Sequence, residues 1–349
     1  MERSAWAGVA ICVPVRNERA SLPGLLAAIA RQQPCPAGPP TVCLLFDGCS
    51  DGSEALAAAL APALPFRLLT ATRPTASEPN AGRARRAAME IGLAALPAQA
   101  DAALLTTDAD TLPAPDWMAQ SCAALLEAEL VCGHVARDGD RPSLLQDRID
   151  AHFDRLYDFR RDLDPVPWEP RPAHHYTAGA SMGFRTGAYR ALGGFAPRAA
   201  AEDAGIVDAA GRAGLRVRRD RGVRVTTSSR RVGQVRNGMA DHLRSLDADA
   251  SPDAVRVGHP NDAAWQHRGQ AIARRAFEAG GRAPDLDRLA ARIGLAARAV
   301  REVAEAAPNA EAFAMRVVPA APGADRLVSL PDAERALAAL IDCRHEPAR

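Results

Sequence analysis

The 349-residue chain contains no lysine, and its 43 basic residues are all arginine. A Schiff-base lysine and a phosphate-binding lysine are therefore excluded, so contacts to any phosphate fall to guanidinium groups or backbone N–H groups. Net charge is almost absent as well. The 43 basic and 42 acidic residues leave a formal +1, which provides no overall footprint for nucleic acid or an anionic membrane surface; any anion site has to be local. Cysteines are few and scattered (Cys12, Cys35, Cys43, Cys49, Cys122, Cys132, Cys343) with no CxxC pair, a usage that favours a reducing compartment. No apolar run reaches the roughly 18 to 20 residues of a membrane span. The N-terminal MERSAWAGVAICVPV has no basic region followed by a long apolar stretch and a small-residue cleavage site. These absences predict a cytoplasmic protein with no signal peptide and no integral membrane span. Abundant alanine and arginine without lysine point to a GC-rich bacterial genome.

What is present is an alternation of strands and helices. Val9 to Val15 reads as a strand, and Ser21 to Arg31 as an amphipathic helix beginning at a serine cap. Thr41 to Phe46 is a second buried strand; DGCSDGS is a turn capped by Ser53, and a helix runs from Glu54 to about Leu60. FRLLTA is a third strand, NAGRARRAAMEIGLAAL a helix and DAALLTT a fourth strand. The spacing predicts further helices over 115–129 and 142–161, a strand at ELVCGHVA, a long loop at DPVPWEPRPAHHY, and a strand with a short helix in GASMGFRTGAYRALGGF. Another helix opens at Glu202-Asp203, and LRVRRDRGVRVTTSSR is strand-like. Beyond about residue 250 the pattern turns to short helices without a motif. Such alternation predicts an α/β fold with a mostly parallel sheet covered by helices on both faces. Ligands in such folds bind outside the carboxyl ends of the strands, where the polar clusters of this chain fall.

Asp108-Ala109-Asp110 ends the fourth strand. Such a pair is either a strand-end ion pair or the seat of a hard divalent cation, which takes oxygen ligands. Asp47 and Asp51 in FDGCSDGS and Arg16, Asn17 and Glu18 in VPVRNE read alone as ordinary strand–helix turns. Clusters at three successive strand ends favour one ligand crevice. NAGRARRAAM places Arg83, Arg85 and Arg86 in the first turns of a helix. Cations there oppose the macrodipole, so a bound phosphate is favoured over a solvated basic face. Glu202-Asp203 suits helix capping, and beside an acceptor hydroxyl it suits a general base. Arg230, Arg231 and Arg236 in TTSSRRVGQVRNG form either a solvated run or a cover over a diphosphate leaving group. His174-His175 lacks a third ligand at convincing spacing.

Taken in order, VPVRNE, FDGCSDGS, NAGRARRAAM, TDADT, GASMGFRTGAYRALGGF and AEDAGI resemble the family 2 glycosyltransferases, over roughly residues 8 to 245. The resemblance implies the nucleotide-sugar-binding GT-A fold, with a Rossmann-like central sheet in a domain of residues 1–245 and a mainly helical extension over 246–349. It implies a UDP- or GDP-sugar donor, a hydroxyl acceptor, and Mg²⁺ or Mn²⁺ as cofactor. By that resemblance Pro14, Arg16, Glu18, Asp47 and Asn80 face the nucleotide sugar, with Asp51 bracing its turn. Arg83 or Arg86 contacts base or phosphate, Asp108 lies near the ribose, and Arg230 and Arg231 lie at the diphosphate. Asp110 ligates the metal, Asp203 is the base of an inverting displacement, and Glu202 positions it or contacts the donor sugar. Phe46 departs from the family's turn, and the Q-x-x-R-W signature of processive synthases is missing, which predicts one sugar added per encounter. The alternatives are a retaining transferase acting on a small phosphorylated acceptor and a non-catalytic nucleotide-sugar-binding protein. A nucleotidyltransferase would carry a glycine-rich loop after the first strand, and VPVRNE has no glycine.

Overall fold

The computed structural model describes residues 6–35, 37–74, 80–98, 100–233, 238–248 and 251–345. Two compact units emerge: Met1–Pro142 with Tyr176–Ala210 and Val217–Arg244, and Ser143–His175 with Gly211–Arg216 and Ser245–Arg349. In chain order the elements are β1 (Val9–Val15), α1 (Leu22–Ala30), β2 (Thr41–Asp47), α2 (Ser53–Leu60), β3 (Arg67–Arg73), α3 (Ala81–Ala95), β4 (Ala103–Thr106) and β5 (Thr111–Pro113). There follow α4 (Trp117–Glu127), β6 (Leu130–Arg137), α5 (Leu144–Leu163), β7 (Met182–Arg185), α6 (Thr186–Ala191), α7 (Glu202–Ala213), β8 (Val217–Thr227) and α8 (Met239–Ala248). The remainder is β9 (Arg256–Gly258), α9 (Pro260–Glu278), α10 (Ala283–Ile293), α11 (Ala297–Ala306), α12 (Ala310–Val317), β10 (Leu327–Ser329) and α13 (Leu330–His345).

The first unit is built on an eight-stranded sheet in the order β3-β2-β1-β4-β7-β6-β8-β5. The continuous apolar runs of β1, β2 and β4 pair in parallel and are buried on both faces, as covered parallel strands require. β3 closes one edge with exposed and half-buried residues. β7 runs against both β4 and β6, and β5 against β8. With β6 and β8 also parallel, the sheet is mostly parallel as expected, and the antiparallel pairings are confined to β5 and β7. The core joins Ile11, Val13, Leu44, Phe46, Leu105 and Trp117, each side chain contributing on the order of 1.5–3 kcal/mol by burial. Trp117 is fully buried and its indole donates to Ser181 Oγ at 2.9 Å, so its one polar group is satisfied.

The second unit is mainly helical, with a two-stranded antiparallel β9–β10 sheet. Its core gathers Leu289, Val300, Phe313 and Val317. The region after residue 250, expected as short helices, includes the 19-residue α9 and 16-residue α13. Buried arginines need paired carboxylates in such a core. Arg274 holds Asp164 and, at 2.7 Å, Glu311; Arg161 holds Glu169. Among the described residues no helix is long and apolar enough to cross a membrane.

His152 on α5 is buried, and neither ring nitrogen has a hydrogen-bond partner among the described residues. Burial, opposed by Glu334 and reinforced by Arg155, pushes its imidazole below the usual 6.5. The unfolded chain therefore takes up a proton that the folded chain refuses. The resulting stability is present above about pH 6.5 and is lost as pH falls through that value. Denaturant titrations should show unfolding free energy declining just below pH 6.5 by up to about 1.4 kcal/mol per pH unit from this group. His152→Phe should make the decline shallower, the rest coming from His267, whose imidazole is also held well below 6.5 by burial; equal slopes in the two proteins would remove His152 as a cause.

Candidate active site

The loops after β1 and β2 are laced to each other. Asn17 has φ 53, a left-handed conformation that asparagine tolerates better than most residues, and its Oδ1 accepts from Ser50 N at 2.8 Å. Glu18 N donates to Ser53 Oγ at 3.0 Å and Arg19 N to Asp51 Oδ2 at 2.9 Å. Asp51 Oδ1 accepts from the Ser53 hydroxyl at 2.6 Å and from its N–H at 3.0 Å. Burial acts to raise the Asp51 carboxyl, but the hydrogen bonds from Ser53 and Arg19 hold it below its usual value. Ser53, expected as the helix cap, is instead the first residue of α2, and Gly52 takes the cap position at φ 83, where a Cβ would be strained. Ser21 stands at the cap of α1, yet its hydroxyl donates to Glu18 Oε2 at 2.9 Å. Arg16 Nη1 lies 3.4 Å from Asp47 Oδ2, with Arg73 Nε 3.8 Å from the other oxygen.

The three-residue β5 decides what surrounds Asp110. Its register sets Thr111 opposite Thr227, whose hydroxyls lie 3.0 Å apart, and Ser228 N donates to the Asp110 carbonyl at 3.2 Å. The chain leaving β8 thereby delivers Arg230 to the strand ends. Arg230 Nη1 donates to Glu18 Oε2 at 2.8 Å, and Nη2 donates to Glu18 Oε1 and lies 3.0 Å from Asp110 Oδ2. Burial, then the neighbouring charge of Asp108, opposed by Arg230, pushes the Asp110 carboxyl up to about 6.

A second arginine serves the other half of the pair. Arg85, buried on α3, donates from Nη2 to Asp108 Oδ1 at 2.9 Å and from Nε to Glu202 Oε1 at 3.2 Å. Its Nη1 donates to Thr106 Oγ1 at 3.2 Å and to the Gly179 carbonyl at 3.0 Å. Burial would lower its pKa, but the carboxylates of Asp108 and Glu202 raise it above its ordinary value, so the charge is permanent. Gly179 is confined against this group: a Cβ there would lie 2.3 Å from Arg85 Cζ. Gly179 N donates to Asp203 Oδ2 at 3.1 Å, and Ala204 N to Asp203 Oδ1 at 2.7 Å. Ala201, the residue before Glu202, has φ 57.

Some of these groups line one cavity of about 410 Å³ in the first unit. Of the residues singled out from the sequence, its wall brings together Pro14, Arg16, Glu18, Asp47, Asn80, Asp108, Asp110, Glu202, Asp203 and Arg230. It does not include Asp51, Arg83, Arg86 or Arg231. Arg83 is exposed, Arg86 pairs with Glu90 at 3.1 Å, and Arg231 Nη1 donates to the carbonyls of Arg141 and Ser229. Arg236 lies outside the described residues. Asn80 also caps α3, its Oδ1 accepting from Arg83 N at 2.8 Å. Of the three arginines at the start of α3, Arg85 is the one on the cavity wall. Its signal was available: with Gly82, Ala88, Met89 and Gly92 it falls on the buried face of α3, a lone charge among small and apolar residues.

Among the described residues, six carboxylates (Glu18, Asp47, Asp108, Asp110, Glu202, Asp203) face this cavity against three arginines (Arg16, Arg85, Arg230). A diphosphate entering such a site meets a deficit of positive charge. Among the described residues no group of three or more His, Cys, Asp or Glu is placed to hold a metal ion by itself. Carboxylate oxygens in ones and twos, completed by phosphate oxygens, are the donor set that Mg²⁺ and similar hard cations use, so these residues fit such an ion.

A strand-end cavity walled by carboxylates and arginines in a helix-covered sheet defines an α/β ligand-binding protein. Residues 10–190, over half of the chain, match the glycosyl transferase family 2, and the chain belongs to that family. It is accordingly a nucleotide-sugar glycosyltransferase of the GT-A type. Among solved structures it is similar to the mannosyltransferase PcManGT from Pyrobaculum calidifontis in complex with GDP-Man and Mn²⁺ (18% identity, 97% of this chain and 76% of that one, TM-score 0.47). It is also similar to S. aureus TarS 1-349 in complex with UDP-GlcNAc (11% identity, 96% and 92%, TM-score 0.47). A third is glucosyl-3-phosphoglycerate synthase from Mycobacterium tuberculosis in complex with Mn²⁺, UDP and glucosyl-3-phosphoglycerate (18% identity, 72% and 84%, TM-score 0.42). No curated protein matches.

Proposed function

We propose that this chain is a cytoplasmic, metal-dependent, inverting transferase that moves one sugar per encounter from a UDP- or GDP-sugar to a hydroxyl acceptor. The observation that carries the metal requirement is the excess of carboxylates over arginines on the cavity wall. Asp110 would hold Mg²⁺ or Mn²⁺, which when bound neutralises charge developing on the diphosphate leaving group. Glu18 and Asp47, on loops already tied together, face the nucleoside, with Pro14 and Arg16 beside them and Asn80 at the start of α3. Asp108 lies near the ribose, held by Arg85. Arg230 covers the diphosphate. Asp203 accepts the proton of the attacking hydroxyl; its two backbone N–H contacts support this role by fixing the carboxylate at the cavity wall.

Thermal unfolding in the presence of nucleoside diphosphates tests the reading, because a ligand that binds only the folded state raises stability with its affinity. UDP or GDP is expected to raise the melting temperature by several degrees with Mn²⁺ and little without it, equivalent to about 2.7 kcal/mol at a hundredfold excess over Kd. Asp110→Asn should erase the Mn²⁺-dependent part. A nucleotide response independent of Mn²⁺ would overturn the metal assignment, and the anomeric configuration of the product by NMR would decide inversion.

A further inference from the structure

The guanidinium of Arg230 lies against the carboxylate proposed to hold the metal. Its Nη2 is 3.0 Å from Asp110 Oδ2 and donates to Glu18 Oε1, while Nη1 donates to Glu18 Oε2 at 2.8 Å. The carboxylates cannot readily move away. Glu18 is also held by the Ser21 hydroxyl at 2.9 Å and through its own N–H by Ser53, and the Asp110 backbone is tied to Ser228. Exposure is unequal as well: the Arg230 side chain is 33% accessible, against 7% for Glu18 and 17% for Asp110. Arg230 is therefore the partner able to leave. A guanidinium seated on this pair supplies the positive charge that a hard cation would otherwise supply, and it competes for the same oxygens.

We infer that Arg230 is a resident counter-cation that yields Asp110 to the divalent metal and transfers to the diphosphate of the donor. The inference rests on the metal-dependent reading above. In the ligand-free enzyme Arg230 holds Glu18 and Asp110 together at the cavity wall. It gives up Asp110 readily only when an incoming diphosphate offers a replacement anion. Metal alone is then bound weakly and metal with nucleotide strongly. The same side chain that blocks premature metal binding caps the leaving group once the donor is seated.

Titration of Mn²⁺ alone into the full chain, followed by the EPR signal of free Mn²⁺, tests this without any turnover. Arg230→Met is expected to bind Mn²⁺ about tenfold more tightly than the wild type, since a unit charge some 3 Å away is removed. The enhancement of Mn²⁺ affinity by UDP or GDP should shrink by a similar factor. Arg230→Lys, which keeps the charge but loses the fork onto Glu18, should fall between the wild type and Arg230→Met. Arg230→Met combined with Asp110→Asn should lose the gain. Unchanged or weaker Mn²⁺ affinity in Arg230→Met overturns the exchange, as does tight binding that survives in the double variant. Absence of Mn²⁺ binding by the wild type with either nucleotide instead overturns the metal-dependent reading, and that result is read on the wild type alone.

Discussion

Asp203→Asn should lower kcat by roughly 10²- to 10⁴-fold, the range that a positioned general base contributes, while donor binding stays nearly unchanged. Asparagine has the size of aspartate and keeps one acceptor oxygen for either Gly179 N or Ala204 N. It cannot take the proton of the acceptor hydroxyl. The neighbours that carry the donor in the proposed arrangement, Glu18, Asp47 and Asp110, belong to other strand ends and keep their partners. Single-turnover kinetics with calorimetric donor binding separates the two effects. Turnover retained in Asp203→Asn would remove this residue as the base and favour a retaining reaction, in which no protein carboxylate deprotonates an in-line nucleophile.

The largest stability effect should come from Arg85→Met. Both Arg85 and Glu202 are buried, with side-chain exposures of 7% and 6%, and Asp108 shares the same guanidinium. Methionine fills the space but leaves two carboxylates facing each other without a cation. Breaking a buried pair from one side in this way typically costs about 3–5 kcal/mol. Arg85→Lys should recover little, because a point-charged ammonium cannot bridge two carboxylates and two further acceptors in one plane. Adding Glu202→Gln to Arg85→Met should restore part of the loss by removing one stranded charge. Denaturant unfolding measures all three. A loss below about 1 kcal/mol in Arg85→Met would mean that solvent reaches and screens the pair.

Several parts of this enzyme were legible in the sequence because they depend on local chemistry. The runs VAICVPV and TVCLLFD and the alternation around them announce buried strands followed by helices. The polar residues that end these strands were found at the cavity because β–α loops leave a parallel sheet on one edge. Asp51 was legible as a turn brace, since an aspartate two residues before a serine in a glycine-rich turn bonds its own backbone. The sequence marks Arg83, Arg85 and Arg86 alike as charge at a helix start; the small and apolar residues that share a face with Arg85 single it out for burial, but its carboxylate partners are set by tertiary packing. β5 escaped notice because three residues carry no periodicity, and its strand character comes from pairing with β8.

The sequence by itself determined the family, the α/β class and the inventory of strand-end carboxylates, because those follow from residue type and short-range spacing. Only the tertiary structure decided the ion pairing. Arg85 joins Asp108 to Glu202, and Arg230 joins Glu18 to Asp110, across separations of up to 212 residues. Such pairs are set by sheet order and strand register, which no local pattern encodes. They divide Asp108 and Asp110 between two arginines, one buried and constrained on a helix, the other partly exposed and able to leave.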